Sequence, residues 1–78
     1  MRTEMVRGFG AELRRQRGRR GMTQAQLAAK VGVTGKTISL WESGEQAPGV
    51  RVLGVLMDTL CIGEIRRLLW IEMLRGDE

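Results

Sequence analysis

Two helix signatures set almost end to end constrain this sequence more than anything else in it. Thr23 is followed three residues later by Gln26, a spacing at which a threonine hydroxyl and a glutamine amide cap each other's backbone N–H groups. Met22 and Leu27 stand where an apolar staple closes over such a cap. The helix so begun carries Leu27, Ala28 and Val31 at core spacing, has Lys30 in its last turn and meets a stop at Gly32. Thr34 starts the same logic again, with Val33 and Ile38 as staple, Ile38 and Trp41 as buried positions and Gly44 as stop. A turn of about three residues prevents the two helices from lying antiparallel along their length. They must cross steeply, which leaves the outer face of the second in solvent.

The rest of the chain also repeats apolar residues at helical spacing, and no stretch alternates with period two, so an all-α domain of five helices is expected. Val6, Phe9 and Leu13, with small Gly10 among them, mark a first helix running to about Arg20, closed by Gly21. After a loop over 44–48, Val50, Leu53, Leu56, Met57 and Leu60 mark a fourth. Gly63 reads as the break before a fifth, over about 64–75. A chain of 78 residues holds one core, so a single domain over 1–78 is expected, with its paired helices at about 23–44.

Composition removes whole classes of chemistry. With no histidine, no tyrosine and Cys61 as the one cysteine, there is no disulfide framework, no Cys/His metal cluster and no histidine base. Ser39 and Ser43 have no base to activate them, and an enzyme, a cofactor and a metal site are not expected. No apolar run approaches the roughly 20 residues that span a bilayer, the first residues lack a secretory apolar core, and a lone cysteine suits a reducing compartment. A cytoplasmic protein without membrane contact is expected. Charge is polarised: residues 1–36 hold nine basic and two acidic side chains, net +7, whereas residues 37–78 hold four and seven, net −3. One half faces a polyanion in this reading and the other faces something else.

The segment LRRQRGRRGMTQAQLAAKVGVTGKTISLWESGEQAP, with the later spacing of Val50, Leu53, Leu56 and Leu60, resembles the Cro/repressor (Xre-like) family of bacterial and phage transcriptional regulators. The combination TQxxLA…GVTxxTIxxWExG carries the resemblance, over about residues 9–62. It implies a five-helix, lambda-repressor-like DNA-binding domain with a helix-turn-helix, in which the third helix is the recognition helix. Thr34, Gly35, Lys36, Thr37, Ser39 and Leu40 are then presented to DNA, and physics supports the start of that set, because a helix N-terminus with free N–H groups suits a phosphate. The resemblance further implies that Gln24 contacts a phosphate and props the recognition helix, and that Thr23 and Ser43 contact phosphate at helix ends. Two positions depart from the family pattern. Gly35 stands where relatives often carry a base-reading Gln or Ser, and Leu40 where Arg, Lys or Gln is common, so Leu40 touches a thymine methyl or covers core. Lys36 is the strongest donor for a guanine edge, with a phosphate as its alternative.

A carboxylate in the last turn of the third helix opposes the helix dipole and repels DNA, so Glu42 needs a partner. Arg17 matches the family's arginine in an Arg–Glu pair that links the first and third helices. Arg14 and Arg15, with Arg19 and Arg20, are phosphate candidates or a solvated basic face. The fifth helix has seven apolar residues in ten between Ile65 and Leu74, more than one buried stripe requires. Trp70, Ile71 and Leu74 are expected in or beside a two-fold dimer contact, or folded back on the domain. The leading expectation is a repressor of double-stranded DNA, a homodimer on a two-fold operator whose occupancy follows protein concentration. The alternatives are an antitoxin that represses its own operon and holds a toxin through the fifth helix, and a protein adaptor that does not bind DNA.

Overall fold

The structure is a computed structural model that describes residues 2–75, so residues 1 and 76–78 of the expected domain lie outside the described residues. It is all-α: α1 Arg2–Arg19, α2 Gln24–Val31, α3 Gly35–Ser43, α4 Val50–Thr59 and α5 Glu64–Leu74. α1 packs on α3 and α5, and α2 packs on α3 and α4. Among the described residues no helix is long and apolar enough to cross a membrane.

The local rules read from the sequence account for these boundaries. Both halves of the capping box at α2 form, with Thr23 Oγ1 accepting from Gln26 N–H at 3.0 Å and Gln26 Oε1 accepting from Thr23 N–H at 2.9 Å. Thr34 caps α3 by accepting from Thr37 N–H at 3.2 Å. Gly21, Gly32 and Gly44 all have positive φ. Each closes its helix in the left-handed conformation, with the next residue donating back five positions: Met22 to Arg17, Val33 to Ala28 and Glu45 to Leu40.

α4 closes without a glycine. Cys61, at φ 54°, takes the left-handed position, and Ile62 N–H reaches the Met57 carbonyl at 3.0 Å. Gly63, the expected break before the fifth helix, is the N-cap of α5, with extended backbone. The turn after α4 needs no glycine, because Cys61, a residue with a side chain, accepts a conformation that ordinarily calls for one.

Phe9, Leu13, Leu27, Ile38, Leu56, Leu60 and Trp70 are fully buried at the centre of the core. Gly10 lets α1 and α3 touch backbone to backbone: a Cβ there would lie 2.5 Å from the carbonyl oxygens of Trp41 and Glu42. Any side chain would push the two helices apart. The close crossing also brings the polar ends of α1 and α3 within hydrogen-bonding reach.

In α5, Trp70 folds back on the domain: it is fully buried, and its ring meets Phe9 edge to face at 5.2 Å between centroids. Leu74 is half-buried against the core, and Ile71 is exposed at 42%. The outward apolar surface is carried mainly by Ile65, Leu68 and Leu69, at 78%, 67% and 57% exposure. Ile71 and Leu74 also line, with Pro48, Val50, Leu53, Gly54 and Met57, an apolar groove of about 570 Å³ between α4 and α5.

Candidate nucleic-acid interface

The junction that positions α3 is built from one carboxylate. Glu42, in the last turn of α3, accepts from Arg17 twice, Nε to Oε2 at 2.6 Å and Nη2 to Oε1 at 3.1 Å. Arg17 spends its remaining Nη1 donor on the Met22 carbonyl, at 2.8 Å, in the turn before α2. Gln24, the first residue of α2, donates from Nε2 to the same Glu42 Oε1 at 3.1 Å. The side chains of Arg17 and Glu42 are only 15% and 5% exposed. The Glu42 hydrogen bond raises the Arg17 guanidinium above its ordinary range, with burial opposing. One ion pair therefore ties α1, the turn before α2, α2 and α3 together, and it neutralises the carboxylate that would otherwise repel a polyanion. Gln24 keeps a second amide hydrogen for an external acceptor while it props α3.

From this junction α3 projects its outer face. Thr34, Lys36, Ser39 and Ser43 are exposed, while Gly35, Thr37 and Leu40 are half-buried. Lys36 is the one cation among residues 31–50, and no acidic residue stands in the first turn of α3. Helix geometry leaves the N–H groups of Gly35 and Lys36 without intrahelical acceptors, beside the hydroxyl pair of Thr34 and Thr37, 3.1 Å apart. Thr23 Oγ1 only accepts within its cap, so its proton is free to donate outward. Ser43 differs: its hydroxyl proton goes to the Leu40 carbonyl at 3.1 Å, inside the helix end. Gly35 has ordinary van der Waals room, with the nearest atom 3.7 Å from a would-be Cβ. Nothing in the structure explains its lack of a side chain.

The arginines of α1 divide between two faces. Arg7, Gly10, Arg14 and Arg17 follow one another at i, i+3, i+7 and i+10, the face that crosses α3. Arg14 is exposed there, between the Gly10 crossing and the ion pair. Arg15 lies on the other side: it pairs with Glu12 at 2.6 Å, and Glu12 also holds Arg66 of α5. Arg14 is thus brought toward the helix pair, and Arg15 toward α5. Sequence reading missed Arg7, whose stem lies against Gly44 at the end of α3. The signal was present as the seven-residue spacing between Arg7 and Arg14, masked by the arginine run that follows.

A search of curated proteins found no match to the chain. Comparison with protein families matches residues 9–70 to the family described as helix-turn-helix domain, a span that begins at the buried Phe9 and ends at the buried Trp70. The matched span contains every element of the junction, and the chain belongs to the helix-turn-helix domain family, an assignment that supports DNA binding.

Proposed function

We propose that the protein is a sequence-specific regulator of transcription of the Cro/repressor (Xre-like) type, a homodimer that represses by occupying a two-fold symmetric site on double-stranded DNA. The observation that carries this reading is the Arg17–Glu42–Gln24 junction, which holds α3 by its inner end and leaves Thr34, Lys36 and Ser39 facing outward. The roles follow from donor chemistry. Lys36 reads a guanine edge, and Leu40 covers a thymine methyl with the part of its side chain that is not packed. Thr23, Gln24, Thr34 and Thr37, the free N–H groups at the start of α3 and the guanidinium of Arg14 hold the phosphates on either side. Arg7 joins that set. Gly35 contributes only backbone.

A homodimer follows from size. One helix-turn-helix unit buries roughly 600–1,000 Å² on DNA and reads few base pairs, and two units on one face of the duplex stand about 34 Å apart. The exposed apolar residues of α5 also favour a second reading, in which the protein holds a partner of another sequence and regulates both its partner and its own operon.

Selection of bound duplexes from a random pool, followed by titration of Lys36→Ala on the selected duplex and on random DNA, tests the assignment. The expected result is a loss of about 1–3 kcal/mol on the selected duplex, confined to one base pair in each half-site, and little change on random DNA. Equal losses on both would return Lys36 to the phosphates, and no enrichment of any duplex would reject sequence-specific binding.

A further inference from the structure

Nothing inside the fold requires a glycine at position 35. Among the described residues positive φ is confined to Gly21, Gly32, Gly44 and Cys61, so the backbone at Gly35 suits any residue. A Cβ would fit there as well. Apart from its chain neighbours and its own helix it would meet only Ala25 of α2, Cα at 3.7 Å and N at 3.8 Å, which is ordinary contact. Gly10 and Gly44 differ, since a Cβ at either would strike a neighbour, at 2.5 Å and 2.7 Å. Alanine is also the better helix former, so the glycine weakens the start of α3 and gives the fold nothing in return.

What the missing Cβ leaves is a notch between the exposed residues Thr34 and Lys36. Its floor is the Gly35 Cα and one wall is Ala25, which is exposed. A group that approaches α3 from solvent comes closer to the helix backbone here by about 1.5 Å, the length of one C–C bond. We propose that this notch takes the C5-methyl group of a pyrimidine from the major-groove edge of the duplex, so that Gly35, through the side chain it lacks, determines specificity at one base pair of each half-site. The inference rests on the DNA-binding reading and deepens it by naming the group that is read.

Chemistry selects the methyl among the features of a base edge. Donors and acceptors need hydrogen-bonding partners, whereas the C5-methyl needs apolar contact. Beyond the chain neighbours of Gly35, no side-chain nitrogen or oxygen lies within 4 Å of its would-be Cβ, and the nearest atom is a carbon. In the proposed function Lys36 reads a guanine edge, and Gly35 stands immediately before it in the same turn, which sets the notch beside base edges. The methyl meets the Cα and leaves the Gly35 N–H to its phosphate. Thymine carries this methyl, and so does cytosine methylated at C5.

Exchange of single methyl groups in a duplex selected from a random pool tests this. Each thymine is replaced in turn by uracil, which removes the methyl and keeps the pairing, and each cytosine by 5-methylcytosine, which adds one. Affinities are measured for the wild type, Gly35→Ala and, as a control for the other methyl contact, Leu40→Ala. At one position of each half-site the wild type is expected to bind the methylated form about fourfold more tightly. Sensitivity to uracil there identifies thymine as the source, and a gain with 5-methylcytosine identifies the modified cytosine. Gly35→Ala, whose Cβ fills the notch, loses this preference without a fall in its unfolding midpoint, and Leu40→Ala keeps it. A preference that Gly35→Ala retains, no methyl-sensitive position other than the one Leu40→Ala abolishes, a lowered midpoint for Gly35→Ala, or an equal loss on selected and random duplexes would each overturn the proposal. A pool from which no duplex is enriched rejects sequence-specific binding itself, and this proposal with it, so the two failures are told apart.

Discussion

Arg17 and Glu42 differ from an ordinary surface ion pair in what surrounds them. Exposed pairs contribute about 0–1 kcal/mol because water screens them and long side chains lose freedom. Here the geometry is two-pronged, both side chains are nearly covered, and the remaining donor of Arg17 and one amide hydrogen of Gln24 complete the hydrogen bonding. Removing one partner strands the other, so Glu42→Ala is expected to lower stability by about 3 kcal/mol. In a double-mutant cycle with Arg17→Ala, denaturant unfolding should return a coupling of about 1–3 kcal/mol. A coupling near zero would mean that the pair contributes nothing to the fold. Cys61 gives a second test at this scale. Its left-handed backbone costs roughly 1–2 kcal/mol for a residue with a Cβ, and glycine there would return about 0.5–1 of that to the unfolded chain's entropy. Cys61→Gly is therefore expected to stabilise the protein by about 0.5–1 kcal/mol, read as a rise in the unfolding midpoint; a fall would show that the cysteine side chain contributes more than its conformation costs.

At the scale of elements, the helices were legible wherever a rule depends on near neighbours. Thr23 with Gln26, Thr34, Gly32 and Gly44 carry their geometry in a few consecutive residues, and α2 and α3 begin and end where those residues indicate. The Arg17–Glu42 pair, 25 residues apart, was legible only through the family resemblance and the need to neutralise Glu42. What periodicity cannot decide is orientation when a helix is apolar on every side. α5 is such a helix: Ile65, Leu68, Leu69, Trp70, Ile71 and Leu74 cover its circumference, and the inward face is chosen by Phe9, 61 residues earlier than Trp70. The arginines of α1 were opaque for the same reason, since Glu12 and Arg66 decide which of two adjacent cations faces α5. That division is measurable. Arg14→Ala should weaken binding to all duplexes several-fold and reduce the log–log salt slope by about 0.9 for each phosphate lost, whereas Arg15→Ala should change neither appreciably. The reverse ranking would place the phosphate contact on the α5 side of α1.

Across the whole molecule, the arrangement separates two surfaces. The basic half forms α1, α2 and the start of α3, so the net +7 of residues 1–36 belongs to the elements that carry the outward face of the helix pair. The remaining residues, net −3, complete α3 and supply α4 and α5, whose exposed apolar residues form a second, separate surface. In the proposed function the first surface binds double-stranded DNA as a dimer. Its most direct test is the affinity for a selected duplex between about 50 and 300 mM salt, followed by fluorescence anisotropy. A dimer that neutralises about 6 to 10 phosphates predicts a slope of log affinity against log salt of about −5 to −9. A slope near zero, or an affinity for the selected duplex no higher than for random DNA throughout that range, would contradict it.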